Sequence, residues 1–152
     1  MGMSEIVVGA DGSECGPAAV GWAAAEAVRR SASLRVVHVV VPWLFDVPSN
    51  PRIAAIGGWM YDGGEEIVER ALGRARTAAP EVEVSGGQAG GEPADVLIRE
   101  SGRAVMVVVG SHGAGGPAGL LPGSVGHAML HRARCPVAVV PHRRRVLSRE
   151  AG

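Results

Sequence analysis

Residues 105–140 read VMVVVGSHG, then AGGPAGLLP, then GSVGHAMLHRAR, then CPVAVV. The apolar, β-branched run from Val105 to Val109 predicts a buried strand, and it delivers the backbone to Gly110 and Gly113. The nine residues Ala114 to Pro122 then separate Gly113 from Gly123-Ser124, where a helical pattern opens. Pro136 to Val140 is a second short apolar run. Strand, loop, helix and strand in this order suit an anion site in a parallel sheet. Glycines let the backbone approach a ligand closely, and the first N–H groups of a helix have no partner within it.

Outward from this stretch, five strand-like runs alternate with four helical ones. Glu5 to Gly9 is the first strand, followed by Gly9-Ala10-Asp11-Gly12-Ser13 as a loop. The next helix has Pro17 in its first turn and runs to about Arg30, with Val20, Ala24, Ala27 and Val28 as its apolar face. Leu34 to Val41 is the second strand. Pro42 to Gly63 reads as a long connection whose aromatics, Trp43, Phe45, Trp59 and Tyr61, are expected to cover core. A helix from about Gly64 to Ala79 follows, with Ile67, Ala71, Leu72 and Ala75 as its stripe. Glu81 to Ser85 alternates like a half-wet strand, and Glu92 to Glu100 is a short helix with Pro93 at its start.

This alternation predicts an α/β fold, a single-domain open five-stranded parallel sheet with helices on both faces, Rossmann-like or flavodoxin-like. Ligands of such sheets bind beyond the carboxyl ends of the strands, at the switch in strand order. The loops carrying Asp11 and Gly110 therefore converge on one crevice.

With 152 residues and 47% apolar composition, the chain supports one domain, expected over 1–145 with 146–152 as a tail. Fifteen basic residues, all arginine, balance fifteen acidic ones, so no cationic surplus points to nucleic acid. Arg143-Arg144-Arg145 reads as a solvated tail. No apolar run is long enough to span a membrane, and no basic, apolar leader opens the chain, so a cytoplasmic protein is expected. Cys15 and Cys135 are expected to be reduced, structural thiols.

The spacing G-x-x-G, nine residues, G-S at Gly110, Gly113, Gly123 and Ser124 resembles that of the universal stress protein domain, in the subclass whose motif goes with ATP binding. The resemblance runs from Ile6 to Val140. It takes in IVVGADGS at 6–13, LRVVHV at 34–39 and HRARCPVAVV at 131–140. It implies a fold of the adenine nucleotide alpha hydrolase-like kind and roles for matching residues. Asp11, with Gly9 and Ala10 beside it, would lie against the adenosine end of a nucleotide. Val39 would pack on adenine, Val109 and Gly110 would line the ribose, and Gly113, Gly123, Ser124 and Val125 would hold the phosphates. Read from the residues themselves, His112 either assists the phosphates or is a solvated loop residue, and Asp11 is either a ligand or Mg²⁺ contact together with the nucleotide or a turn and capping residue before the first helix.

Two departures from the family pattern stand out. The loop Ala114 to Pro122 holds no lysine or arginine, where family members often carry a basic residue, and Val105 replaces a common aspartate. The expected ligand is thus ATP or another adenine nucleotide, with AMP, ADP and cyclic nucleotides open. Family members commonly dimerise through the last strand, which implies a homodimer through Pro136–Val140, a short apolar run of the kind that invites pairing.

Other readings compete. Residues 113–118, GAGGPA, match a dinucleotide fingerprint, but they follow the fourth strand, place Pro117 where a helix should run, and lack the later ribose-holding acid. A Walker loop fails because no lysine precedes Ser124. No Ser-His-Asp order or carboxylate pair signals a catalyst, which leaves a slow ATPase, a dinucleotide-dependent enzyme or a ligand-free dimeric scaffold as alternatives to a nucleotide-binding module with a regulatory role in stress response. His38, inside an apolar strand, reads as a hydrogen-bonded core residue, and Cys135 as packing.

Overall fold

Strand β1 (Glu5–Gly9) leads into helix α1 (Cys15–Arg30), and the alternation continues to the end of the domain. It runs through β2 (Ser33–Val40), α2 (Pro51–Ala78), β3 (Val84–Gly90), α3 (Pro93–Ser101), β4 (Met106–Gly110), α4 (Ser124–Arg132) and β5 (Val137–Val140). This computed structural model describes residues 3–12, 15–40, 51–111 and 124–141. His112, Gly113, the 114–122 loop, Gly123, Trp43, Phe45 and residues 142–152, with Arg143 to Arg145, lie outside the described residues.

The five strands form one parallel sheet in the order β3-β2-β1-β4-β5. The three central strands, β2, β1 and β4, are nearly unbroken apolar runs, because helices cover both of their faces. Successive residues of a strand point to opposite faces, so β1 serves two cores at once. Ile6 and Val8 join Leu34, Val36, Met106 and Val108 beneath α1 and α2. Val7 joins Val37, Val107 and Val109 beneath α3 and α4, whose anchors are Val96, Leu97 and Met129. Among the described residues, no helix is long and apolar enough to cross a membrane.

Alanines at 19, 23, 24 and 27 are fully buried, which brings α1 close to the sheet. Val28, expected on that face, is instead 40% exposed, because it lies just past the stripe centred on Ala19, Ala23 and Ala27. Glu26 is nonetheless buried on α1. A hydrogen bond from Arg30 holds its carboxyl below the usual range against the desolvation of the site, and the charges of Arg29 and Arg30 add to this.

Two elements differ from their sequence-based expectation. Helix α2 begins at Pro51, not near Gly64, and runs for 28 residues. Proline suits a first turn, but Gly57, Gly58, Gly63 and Gly64 lower helix propensity by about 1 kcal/mol each and mask the signal. Trp59 and Tyr61 stand on this helix at 75% and 46% exposure and cover no core. Strand β3 runs from Val84 to Gly90, displaced from the expected Glu81 to Ser85. Its glycine-rich sequence is a poor strand former, and the pairing comes from β2, with Leu34 opposite Val84 and Val40 opposite Gly90. At Gly86 a Cβ would fall 2.7 Å from the Val36 carbonyl oxygen, so a side chain there would push β3 away from β2.

Candidate functional site

The switch in strand order lies at β1, which hydrogen-bonds to β2 on one side and to β4 on the other. The chain leaves β1 towards α1 and β2, but leaves β4 towards α4 and β5. These diverging exits open a crevice between Gly9-Ala10-Asp11 and Val109-Gly110-Ser111. Gly9 lines it closely. A Cβ there would sit 3.2 Å from Leu97 Cδ1 and 3.7 Å from Val109 Cγ1. Two residues after Ala10 the chain turns at Gly12, whose φ of +79° and proximity to Ile67 exclude a larger residue. Asp11 sits exposed at this turn.

Val39, Val109 and Val125 come from β2, β4 and α4, yet they share one apolar cluster with Leu97 and Met129. Val109 is buried within it, while Val39 and Val125 are half-buried at its margin. An apolar wall thus faces the crevice from the α3/α4 side. Above it, Ser124 is the exposed first residue of α4, with no acidic side chain in its first turn to neutralise the helix amides. Such an N-terminus carries roughly half a positive charge. Fully buried Met129 pins the helix to the sheet.

Sequence reasoning missed three features here. Ser111 follows Gly110, donates its N–H to the Val140 oxygen at 2.9 Å, and keeps a buried hydroxyl with no hydrogen-bond partner among the described residues. His38 is hydrogen-bonded as expected, but its partner is the carbonyl of Ala10, next to Asp11, at 2.7 Å. Arg35 binds Glu5 at 2.9 Å and also Glu100, tying β1, β2 and α3 together. Burial of that guanidinium opposes its charge, but the bonds to Glu100 and Glu5 outweigh it and raise its pKa. A lone arginine and a lone histidine within an apolar strand were the available signals; their partners lie 28 or more residues away.

Cys135 packs half-buried against the α3/α4 cluster, and burial pushes its thiol up against a lowering hydrogen bond to the Val107 backbone. That is opposite to what a reactive thiolate needs. A second concavity, about 920 Å³, lies between α1 and α2 and shares only Ala10, Asp11 and Gly12 with the crevice. Val39, Val109, Gly110, Ser124 and Val125 are not among its walls.

The chemistry of the crevice suits a nucleotide. The apolar margin suits a flat base, the buried Ser111 hydroxyl, unpartnered among the described residues, can bond a ligand, and the α4 terminus favours an anion.

Comparison with known proteins agrees in fold and sequence. Residues 3–141 match the universal stress protein family. Universal stress protein Rv2005c of Mycobacterium tuberculosis is 38% identical over 138 residues, covering 89% of this chain and 47% of that protein. The chain thus spans about half the length of the curated relatives it matches. A universal stress protein crystallised in complex with cAMP is 26% identical, with a TM-score of 0.67 over 94% of this chain and 100% of the other. A universal stress protein family protein from Arabidopsis thaliana with AMP bound is 20% identical and shares the fold, with a TM-score of 0.63 over 92% of each chain. On the family match and on these relatives, the chain belongs to the universal stress protein family.

Proposed function

We propose that this chain is an adenine-nucleotide-binding regulatory module acting in the cytoplasmic stress response. The observation that carries the reading is the meeting, at the β1/β4 switch, of an apolar wall (buried Val109 with half-buried Val39 and Val125) with the N-terminus of α4 at Ser124. Solved relatives in complex with cAMP or with AMP bound support it. In this reading adenine packs on Val39, and Asp11, with Gly9 and Ala10 beside it, receives the adenosine end. Val109 and Gly110 line the ribose. Ser124 and Val125, with Gly113 and Gly123, hold the phosphates, helped by His112 and by the buried Ser111 hydroxyl. Mg²⁺, where a phosphate chain brings it, has Asp11 as its candidate protein ligand. The loop 114–122 supplies no cation, so ATP is held mainly by backbone amides and the helix dipole. Efficient cleavage is not expected, since phosphoryl transfer needs cationic stabilisation at the γ-phosphate. Nucleotide occupancy then changes the surface that a partner protein reads.

Chromatography of what the purified protein releases on denaturation, with calorimetric titration of AMP, ADP, ATP and cAMP, tests the reading. Released or titrated adenine nucleotide is the expected result. NAD in the released fraction would indicate a dinucleotide enzyme instead, and no release with no heat from any of the four would leave a ligand-free scaffold.

We further propose a homodimer built by pairing of the Pro136–Val140 edge, since among the described residues β5 ends the sheet beside β4 with its other side unpaired. Light scattering at micromolar concentration is expected to give twice the 15.5 kDa of the chain; a monomeric mass refutes the pairing.

A further inference from the structure

Helix α2 comes within contact of β2 and β3 at Gly64, which is buried. A Cβ at that position would lie 2.9 Å from His38 Cδ2 and 2.7 Å from Gln88 Cδ. His38 and Gln88 are cross-strand partners in the β2–β3 register, so both present their side chains to the same helix. Gln88 is tied to that helix in turn, its Nε2 donating to the Tyr61 carbonyl at 3.0 Å and to Glu65 Oε1 at 3.2 Å. The imidazole is thus held between a glycine of α2 and a tethered glutamine.

From this position Nδ1 lies 2.7 Å from the Ala10 carbonyl oxygen. A carbonyl only accepts, so Nδ1 carries the proton and donates, whichever tautomer is preferred in solution. Ala10 is the first residue past β1. Its N–H still donates to the Val37 oxygen at 2.9 Å, continuing the β1–β2 ladder, while its carbonyl goes to the ring. Both backbone polar groups of Ala10, its N–H and its C=O, are therefore fixed by β2 immediately before Asp11, and Gly12 then turns the chain away.

We infer that His38 is a positioning residue for the nucleotide crevice: its Nδ1–H, pressed into place by Gly64, sets the direction in which Ala10-Asp11 enters the site. The inference rests on the adenine-nucleotide reading of that crevice and adds to it a residue that does not touch the ligand. It also accounts for a buried glycine in the middle of a helix, where alanine would otherwise be favoured. The register between α2 and the sheet is coupled through this ring to the adenosine end of the site.

The test is a set of three variants measured by calorimetric titration with AMP and by thermal unfolding. His38→Leu removes the donor and is expected to weaken AMP binding about tenfold, the equivalent of one net hydrogen bond. His38→Asn places an amide N–H close to where Nδ1 stood and is expected to retain affinity within about threefold of the parent by restoring that bond. Gly64→Ala leaves His38 intact but displaces the ring, and is expected to weaken binding in the same direction as His38→Leu. Nitrogen-15 shifts of the imidazole should report the Nδ1–H tautomer in the parent and change when AMP is added.

A lowered melting temperature in His38→Leu with parental affinity would assign the bond to stability alone and overturn the inference. So would a His38→Asn variant as weak as His38→Leu. If His38→Leu does not fold, Gly64→Ala decides: parental AMP affinity and an unchanged imidazole spectrum overturn the inference. A parent that binds none of the adenine nucleotides removes the site itself, and the positioning role falls with it. A parent that binds, beside variants that bind equally well, removes only the positioning role.

Discussion

Asp11→Ala is expected to weaken adenine-nucleotide binding about thirtyfold, from loss of one carboxylate hydrogen bond contributing about 2 kcal/mol. The side chain stands at the turn after β1, against the adenosine end of the proposed site, with Ala10 fixed before it and Gly12 after it. The sign of the effect is as informative as its size. If Asp11 meets neutral sugar hydroxyls, removing it weakens binding. If phosphates lie against it instead, removing a negative charge strengthens binding. A loss seen with Mg²⁺ and absent with a chelator would assign Asp11 to the metal. Asp11 is exposed and outside both core clusters, so the variant is expected to unfold close to the parental temperature. Affinity within threefold of the parent, under both metal conditions, would remove Asp11 from the site.

Leu34→Ala is expected to have the largest effect on stability, about 3 kcal/mol, which lowers the melting temperature by roughly 10 °C in a domain of this size. Leu34 has no exposed surface. It faces α1 and α2 from β2, opposite Ile6 on β1 and Val84 on β3. Truncation leaves a cavity between elements that are each held in place by several others, so the gap collapses only in part. Urea unfolding should show an earlier midpoint with an unchanged slope. Trp59→Ala makes the contrast. Despite its larger side chain, Trp59 is 75% exposed on α2, and its loss is expected to change stability by no more than about 0.5 kcal/mol. A Leu34→Ala cost below that of Trp59→Ala would contradict the packing described for the α1/α2 face.

Much of this arrangement is legible in the chain. The runs at Ile6–Val8 and Met106–Val109 are apolar at consecutive positions, and Leu34–Val37 is so apart from Arg35, a pattern that requires burial on both faces and therefore helices above and below. From that follow parallel strands, crossovers and a crevice at their carboxyl ends. Gly9, at the end of β1, leaves room for Leu97 and Val109 to pack at the base of that crevice. The family resemblance gave Val39, Val109 and Val125 contacts with adenine, ribose and phosphates; in the structure the three share one apolar cluster, and their nucleotide roles are part of the proposal.

Other features were not legible, each for a physical reason. Four glycines between 57 and 64 hide an α-helix from any propensity argument, and the helix stands because its second half packs against α1 and the sheet. Gly86 and Gly87 make a strand only because β2 offers a ladder. Gly64 looks like a helix breaker in sequence and proves to be the space that His38 and Gln88 require.

The sequence by itself determined the order of elements, the parallel class of the sheet and the two loops that border the crevice. These depend on local periodicity and on glycine and proline at single positions, which a chain carries wherever it folds. Only the tertiary structure decided where α2 and β3 begin, which atom His38 serves, and that the Ser111 hydroxyl is buried at the mouth of β4 without a partner among the described residues. Those outcomes depend on contacts between residues far apart in sequence, where the partner, and not the residue, sets the result.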